Sequence, residues 1–91
     1  MNSRTSERFR LAFGRLPERI RTRARAAYRL FRLDPAHPSL RFKQVHPSRP
    51  IFSVRVGLAC RALGVRDADE IIWFWIGSHA DYDQLLRELA R

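Results

Sequence analysis

The fold of this chain is decided by residues 51–78, which read IFSVRVGLACRALGVRDADEIIWFWIGS. Within 52–56, apolar and polar residues alternate, which is the pattern of a strand with one buried face. A tight connection leads to residues 60–66, and an acidic turn leads to the run 71–76, which is apolar throughout. Because that run is apolar on both faces of a strand, we expect it to lie inside the sheet. The stretch therefore predicts three successive antiparallel strands, the last of them buried.

A fourth strand is predicted just before this stretch. Leu40 and Phe42 alternate with Arg41 and Lys43, and a turn with two prolines follows. Together the four segments predict a meander of four antiparallel strands.

The N-terminal third is predicted to form two helices. Residues 6–15 contain both a strand-like alternation and a helical apolar face, and the helical pattern matches more positions. Pro17 fits the first position of a second helix, where its missing N–H costs nothing. Asp34 followed by Pro35 ends that helix. We expect the two helices to form a hairpin, and residues 1–5 to be disordered.

A third helix is predicted at the C-terminal end of the chain. Ser78 and Asp81 have the spacing of a capping box. The apolar positions that follow on one helical face are Tyr82, Leu85, Leu86 and Leu89. The predicted fold class is therefore α+β: one domain over residues 1–91, with an N-terminal helical hairpin packed on a four-stranded antiparallel sheet and a short C-terminal helix.

The charge of the chain is strongly positive and uneven. It carries 18 Lys and Arg against 9 Asp and Glu, a formal net charge of +9, and Lys43 is its only lysine. Guanidinium groups pair bidentately with phosphate or carboxylate, so this composition favours a polyanionic partner. A GC-rich genome, which spells basic residues as arginine, is the alternative explanation. Residues 1–33 hold ten arginines against Glu7 and Glu18, so the positive charge is concentrated there.

Cysteine, histidine and apolar content exclude several classes of protein. Cys60 is the single cysteine, which rules out an internal disulfide or a multi-cysteine metal cluster. The three histidines are dispersed without metal-ligand spacing, so we expect no metal ion and no cofactor. The longest apolar run, 71–76, is far too short to span a membrane, and the arginine-rich N-terminus does not resemble a signal peptide. We therefore expect a cytoplasmic protein that makes no membrane contact.

Five strings occur in a characteristic order along the chain. They are LP (16–17), HPSLRFK (37–43), FSVRVG (52–57), RALG (61–64) and WFWIGSH (73–79). Their joint order resembles the RelE/ParE family of type II toxins, particularly its ParE-like branch. The chain departs from the family at two points. We expect no room for the edge strand that usually precedes the helical hairpin, and Cys60 stands where an aromatic residue commonly precedes the arginine of the penultimate strand.

The resemblance implies a RelE/ParE-like fold and a toxin that is held inactive by the wrapping arm of a cognate antitoxin. The positive charge of the chain predicts that this antitoxin is acidic. Some members of the family cleave mRNA in the ribosomal A site, whereas others poison DNA gyrase. The family alone does not decide between these activities.

Cleavage of RNA by its own 2′-hydroxyl needs a base near that hydroxyl, an acid near the leaving oxygen and positive charge around the phosphate. His79 is the acid–base candidate, because it lies at a helix start, where the helix dipole favours neutral imidazole. Arg55 and Arg61, on adjacent predicted strands, are the candidates for the positive charge. The resemblance supports them, because RelE-like enzymes contact the RNA backbone from these strand positions. Tyr82, one turn beyond the helix cap, is the fourth catalytic candidate.

Each of these assignments has a plainer alternative. For His79 the alternative is an exposed helix-start residue of no chemical role, and for the two strand arginines it is surface groups that face the antitoxin. Tyrosine at the start of an amphipathic helix is more often packed than reactive.

Four further residues are candidates for RNA binding: Lys43, His46, Arg41 and Arg25. The first three lie in or just after the first predicted strand. Arg25 belongs to a stripe on the second helix, opposite an apolar face at a spacing of four, three and four. That stripe would dock either on ribosomal RNA or on an acidic antitoxin, unless it is only a solvated surface.

These observations predict a toxin that cleaves mRNA on the ribosome and so arrests translation. Two alternatives remain open at this point: a non-catalytic inhibitor of DNA gyrase, and a degenerate toxin that acts only as a DNA-binding co-repressor together with its antitoxin.

Overall fold

The fold is seen in a computed structural model that describes residues 1–90. Its elements are β1 (Asn2–Thr5), α1 (Glu7–Gly14), α2 (Glu18–Leu33), a short 3₁₀ helix (Pro38–Leu40), β2 (Lys43–Gln44), β3 (Ile51–Val56), β4 (Cys60–Asp67), β5 (Glu70–Ser78) and α3 (His79–Leu89). The five strands form one sheet in the order β1-β5-β4-β3-β2. β1 runs parallel to β5, and the other neighbours are antiparallel. The predicted α+β class is confirmed, but the sheet is mixed and has five strands rather than four.

The additional strand is β1, which occupies residues that the sequence predicted to be disordered. The backbone N–H of Asn2 donates to the carbonyl of Asp69 at 2.8 Å, and that of Ser6 donates to Trp73 at 2.9 Å. The indole N–H of Trp73 also donates to the Ser3 hydroxyl at 2.9 Å. β1 is the edge strand for which the sequence predicted no room, so that expectation is wrong. Because it lies beside β5, it gives that apolar strand neighbours on both sides.

The first predicted antiparallel strand is shorter than expected. Leu40 is buried, but it belongs to the 3₁₀ helix, and Arg41 adopts a left-handed backbone conformation with φ 47°. The side chain of His37 accepts a hydrogen bond from the backbone of Ser39 and so favours the turn. The alternation over residues 40–43 therefore reflects a turn followed by the two-residue strand β2.

The helices lie close to where the sequence predicted them, but α1 and α2 do not form the tightly packed hairpin that was predicted: within residues 1–90, α1 packs mainly on β5 and α2 on β3. α1 is capped by the Ser6 hydroxyl, which accepts a hydrogen bond from the backbone N–H of Phe9 at 3.1 Å. α2 begins at Glu18, so Pro17 is its N-cap and not the predicted first helical residue. The helix buries Ala24 and Phe31, two of the positions on its apolar face. None of the helices within residues 1–90 is long and apolar enough to cross a membrane.

The two faces of the sheet carry separate apolar clusters. The face that packs against α1 and α2, here called the α1/α2 face, contains Ala24, Phe31, Leu40, Val54, Val56, Cys60, Ala62, Ile71, Trp73 and Ile76. The opposite face, here called the α3 face, packs Ile51, Leu63 and Tyr82 against α3. The protein is therefore built in three layers, with two helices on one side of the sheet and one on the other.

A β-bulge lets the apolar run of β5 serve both clusters. Leu63 pairs with Trp75, but the next residue, Gly64, pairs with Trp73, so Phe74 is left without a partner. Trp73 is buried in the α1/α2 cluster, whereas Phe74 and Trp75 both pack against the α3 cluster. The bulge explains why three consecutive aromatic residues of β5 can all pack against apolar clusters, although no polar residue alternates with them.

α3 is fixed at both of its ends. Its cap is the Ser78 hydroxyl, which accepts from the backbone N–H of Asp81 at 3.1 Å and confirms the predicted capping spacing. The backbone N–H of His79 donates to the carbonyl of Ala59 at 2.9 Å. At the far end, the carbonyl of Leu89 contacts a histidine of the β2–β3 loop. α3 therefore crosses the sheet in a defined position.

Candidate functional site

Three basic side chains lie on the α3 face, on three neighbouring strands. Lys43 in β2 pairs with Ser53 in β3. Two residues further along β3, Arg55 pairs with Arg61 in β4. Paired residues, and residues two apart on one strand, point to the same face of a sheet. Since Ser53 is hydrogen-bonded to Tyr82 of α3, Lys43, Arg55 and Arg61 belong to the α3 face and are here called the basic row.

Among residues 1–90, the two arginines of the basic row have no acidic partner. Nε of Arg55 donates to the carbonyl of Gly57 at 3.1 Å, and Nη1 of Arg61 donates to the carbonyl of Cys60 at 2.9 Å. No carboxylate within residues 1–90 lies within 4.0 Å of either guanidinium. Like charges directly opposite on paired strands destabilise a sheet. An anion held between the two guanidinium groups would relieve that repulsion and use their remaining N–H donors.

His79 lies at the end of the sheet where this arginine pair is found. Gly77, the β5 partner of Arg61, precedes it by two residues. The imidazole is half exposed, and its Nδ1 atom lies 3.3 Å from a carboxylate oxygen of Asp83 on the next turn of α3. The structure thus brings His79, Arg55 and Arg61 to one edge of the α3 face.

Tyr82 lies beneath this edge. It is buried, and its hydroxyl donates to the Ser53 hydroxyl at 3.2 Å. Its ring centroid is 5.9 Å from that of His79 and 6.5 Å from that of Trp75. The hydroxyl is therefore hydrogen-bonded inside the protein, and the ring packs beside the histidine.

His46 is engaged by structural contacts on both ring nitrogens. Its Nδ1 accepts hydrogen bonds from the backbone N–H groups of Ser48 at 3.1 Å and Arg49 at 2.9 Å. The ring proton must then lie on Nε2, which donates to the carbonyl of Leu89 at 2.9 Å. His46 joins the β2–β3 loop to the end of α3. Arg41 is exposed beside the 3₁₀ helix, away from the pairing that aligns the basic row.

Arg25 is separated from the other candidates by the sheet. It lies on α2, and its guanidinium lies over the ring of Phe13 in α1, 5.4 Å from the ring centroid. Since α1 and α2 both pack on the α1/α2 face, Arg25 cannot share a site with the basic row. The predicted set of RNA-binding residues is thus divided between two surfaces.

A groove of about 510 Å³ opens on the α1/α2 face, between the helices and the sheet. Its apolar walls include Phe9, Phe13, Tyr28, Val54 and Trp73. Three exposed arginines that also line it, here called its rim, are Arg10, Arg25 and Arg29. A volume of a few hundred cubic ångströms with apolar walls and few polar groups is typical of binding sites. We call this feature the apolar groove.

Cys60 and the possible metal ligands add no reactive group. Burial raises the pKa of the Cys60 thiol, and the neighbouring guanidinium of Arg61 only partly opposes this. The thiol is therefore a poor nucleophile. In the described part of the chain, His, Cys, Asp and Glu side chains do not gather in groups of three that would hold a metal ion.

Two residues of this region were missed by the sequence analysis. Asp83 contacts His79, and the only signal was their spacing of four residues on a helix. Ser53 anchors Tyr82, and the only signal was a small polar residue inside an apolar strand.

Comparison with known proteins gives a consistent result. A family model described as a ParE-like toxin domain matches residues 18–84. Among solved structures, the RelB-RelE antitoxin-toxin complex of Methanococcus jannaschii matches with a TM-score of 0.71 and 16% identity, over 89% of this chain and 95% of that one. The toxin-antitoxin complex RelBE2 of Mycobacterium tuberculosis matches with a TM-score of 0.60 and 24% identity, over 88% and 92%.

A third similar structure is a copper-bound mutant toxin from Helicobacter pylori, with a TM-score of 0.60 and 14% identity, over 89% of this chain and 97% of that one. A search of curated proteins found no match. At these identities the structural likeness shows a shared fold, and the family model carries the assignment.

Proposed function

The chain belongs to the ParE-like toxin family and is a toxin of a toxin-antitoxin system, and from this premise we propose that it arrests translation by cleaving mRNA on the ribosome. The single observation that carries the proposal is the arginine pair of the basic row, Arg55 and Arg61, which lies beside His79 and has no acidic partner in the part of the chain that the structure describes. A protein keeps a destabilising pair of like charges mainly where function needs it. The proposed substrate lies in the cytoplasm.

The proposed reaction is attack of a ribose 2′-oxygen on the adjacent phosphorus. Nε2 of His79 takes the proton of the 2′-hydroxyl as the new P–O bond forms. The P–O bond to the 5′-oxygen breaks, and water protonates that leaving oxygen, since the edge is open to solvent. The products are a 2′,3′-cyclic phosphate and a 5′-hydroxyl.

The basic row would act on the charge of the phosphate. Arg55 and Arg61 would hold the two non-bridging oxygens, whose negative charge grows in the transition state. Lys43 in β2 pairs with Ser53, which lies two residues before Arg55 in β3. Lys43 would therefore bind a neighbouring phosphate. Direct cross-strand and diagonal neighbours lie roughly 5–8 Å apart, which suits adjacent phosphates of a single strand.

The apolar groove supports a separate site for the antitoxin. Its walls fit the apolar face of an amphipathic segment, and its rim of Arg10, Arg25 and Arg29 fits acidic residues beside that face. Two of the similar solved structures are antitoxin-toxin complexes. We propose a cognate acidic antitoxin as the partner on the α1/α2 face.

Non-catalytic inhibition of DNA gyrase is the second candidate function. The observation that favours it is that the polar atoms of Tyr82 and His46 are occupied by hydrogen bonds inside the protein. Of the predicted acid–base and RNA-binding residues on the α3 face, His79 is then the one candidate base, and the face has fewer groups available for catalysis. In this case the same basic surface would bind gyrase or its DNA without cleaving RNA.

The test is to express the chain in a bacterium with and without its antitoxin. Growth should stop with the chain alone and resume on co-expression. Protein synthesis, mRNA integrity and plasmid supercoiling are then followed after induction. Early loss of protein synthesis with mRNA cut inside codons supports the ribonuclease, and loss of supercoiling with intact mRNA supports the gyrase inhibitor. Normal growth with abundant folded chain would contradict both.

A further inference from the structure

We propose that Asp83 is a positioning residue, which holds the imidazole proton of His79 on Nδ1 and leaves Nε2 free to accept a proton from the substrate. The proposal rests on the proposed function, because it concerns the base of that reaction. Asp83 was not among the candidates from the sequence, and Nε2 is the atom of His79 that would accept the proton.

The short distance between the two side chains favours one position for the imidazole proton. Nδ1 of His79 is 3.3 Å from Oδ2 of Asp83. An ionised carboxylate can only accept hydrogen bonds, so the contact is favourable when Nδ1 carries the proton. The hydrogen bond made by one ring nitrogen sets the protonation of the other. Without such a partner, a neutral histidine carries its proton mainly on Nε2. That nitrogen could then not accept a proton from the substrate.

The ring is also held from other directions. The edge contact with Tyr82 restricts its rotation, and Tyr82 is fixed by its hydrogen bond to Ser53. The backbone of His79 is fixed by its bond to the carbonyl of Ala59. These contacts place the ring, but neither of them distinguishes Nδ1 from Nε2. The carboxylate of Asp83 is the contact that does so.

The competing explanation of Asp83 is a general one. An acidic residue near the start of a helix is stabilising through the helix dipole, and it also lowers the local positive charge. Asp81 offers a matched control, because it lies in the first turn of the same helix and is also exposed. Among the described residues, only Asp83 places a carboxylate oxygen within 4.0 Å of a ring nitrogen of His79. A dipole or charge effect should appear in both residues, and positioning only in Asp83.

The first experiment measures the tautomer of His79 directly. The full chain is labelled with ¹⁵N-histidine, and long-range ¹H–¹⁵N spectra are recorded at a pH where the imidazole is neutral, for the wild type, Asp83→Asn and Asp81→Asn. We expect a protonated Nδ1 in the wild type and in Asp81→Asn, and a shift towards protonated Nε2 in Asp83→Asn. A wild-type spectrum dominated by protonated Nε2 would overturn the proposal.

The second experiment measures single-turnover cleavage of ribosome-bound mRNA. Loss of an outer contact to a working histidine typically costs on the order of 10-fold or more in activity, so Asp83→Asn should lower the rate constant by about that much, with ribosome binding unchanged. Asp83→Glu should restore part of the rate, and Asp81→Asn should cleave like the wild type. Equal loss in both asparagine variants would overturn positioning.

The two experiments separate this proposal from the proposed function. If the wild type does not cleave RNA, the ribonuclease assignment fails, while the nitrogen shifts still decide whether Asp83 places the proton. If the wild type cleaves and Asp83→Asn cleaves equally fast, the ribonuclease stands and the role of Asp83 is refuted.

Discussion

The two faces of the sheet differ in what they contribute to the molecule. Among residues 1–90, ten buried residues belong to the apolar cluster of the α1/α2 face and three to that of the α3 face. Burial of apolar surface is the main stabilising contribution to folding, so most of the stability comes from the first face. The α3 face instead carries the basic row and His79. The difference shows how a small domain can free part of one face for polar chemistry.

One β-strand contributes side chains to both faces of the sheet. In β3, Val54 and Val56 point into the α1/α2 cluster, whereas Ser53 and Arg55 belong to the α3 face. Since successive side chains of a strand alternate, the buried side fixes the position of the polar side. The basic row is therefore held by the core beneath it. Substitutions on the two faces should have effects of different kinds.

The largest effect is expected on the α3 face, at the base of the proposed reaction. Replacement His79→Ala should lower single-turnover cleavage of ribosome-bound mRNA by roughly 10²–10⁴-fold, the usual contribution of a general base. Stability should change little, because the imidazole is half exposed. Ribosome binding, measured by co-sedimentation, should be preserved. Cleavage at the wild-type rate would show that His79 is only a helix-start residue.

The next largest effect compares one arginine from each face. Arg61→Ala should reduce cleavage by roughly 10²–10³-fold, as expected for loss of a group that stabilises transition-state charge, and should leave antitoxin affinity unchanged. Arg25→Ala, on the rim of the apolar groove, should leave cleavage unchanged and weaken antitoxin binding, more so at low salt.

The measurements for this pair are single-turnover cleavage and antitoxin titration at two salt concentrations. If Arg25→Ala instead weakened ribosome binding, the RNA surface would extend over both faces, as the sequence alone suggested. The proposal that the α3 face binds RNA and the α1/α2 face binds the antitoxin would then be wrong.

The parts of the fold that the sequence predicted are those with a strong local pattern. The cap at Ser78, the apolar face of α2 and the alternation in β3 each depend on residues close together in the chain. These patterns place three helices and the antiparallel strands β3, β4 and β5. They also place Arg55 and Arg61 on adjacent strands, because the turn between them is short.

The parts that the sequence could not predict depend on distant residues. β1 consists of four residues without an apolar pattern, and its partner, β5, lies more than sixty residues away. The engagement of His46 by Leu89 and of Tyr82 by Ser53 likewise depends on tertiary contacts. A histidine in a loop and a tyrosine at a helix start look available in the sequence, and only the packed structure shows that their polar atoms are occupied.

A third prediction tests the packing of the α1/α2 face with two glycines. A Cβ at Gly64 would lie 2.8 Å from Cγ1 of Ile71 and 2.8 Å from Cε3 of Trp73, and both side chains are buried. Gly64→Ala should therefore lower the free energy of unfolding by about 1–3 kcal/mol, as overpacking typically does. At Gly14, at the end of α1, a Cβ would meet nothing within 4 Å. Gly14→Ala should raise stability by about 0.4–1 kcal/mol, because it restricts the unfolded chain.

Urea denaturation of both variants checks this prediction. Equal stability of the two would show that the α1/α2 face has more freedom to adjust than the contacts of Gly64 indicate, and the contrast between the faces would weaken.

The smallest expected effect is a gain of stability from damaging the α3 face. Arg55 and Arg61 are opposite one another on paired strands and have no carboxylate nearby within residues 1–90. Like charges in such positions destabilise a sheet by about 0.2–1 kcal/mol, so Arg55→Gln should raise the free energy of unfolding by that amount while reducing cleavage. Because the repulsion is screened by salt, the gain should shrink as ionic strength rises.

Urea denaturation at low and high salt measures this, with Arg66→Gln as the control, since Arg66 lies over Phe52 on the opposite face. A gain for Arg55→Gln that vanishes in salt, with none for Arg66→Gln, would show that the α3 face gives up stability to keep its charge. Destabilisation at every salt concentration would instead mean that Arg55 is held mainly by packing and by its bond to Gly57, and the difference between the faces would not reflect a functional demand.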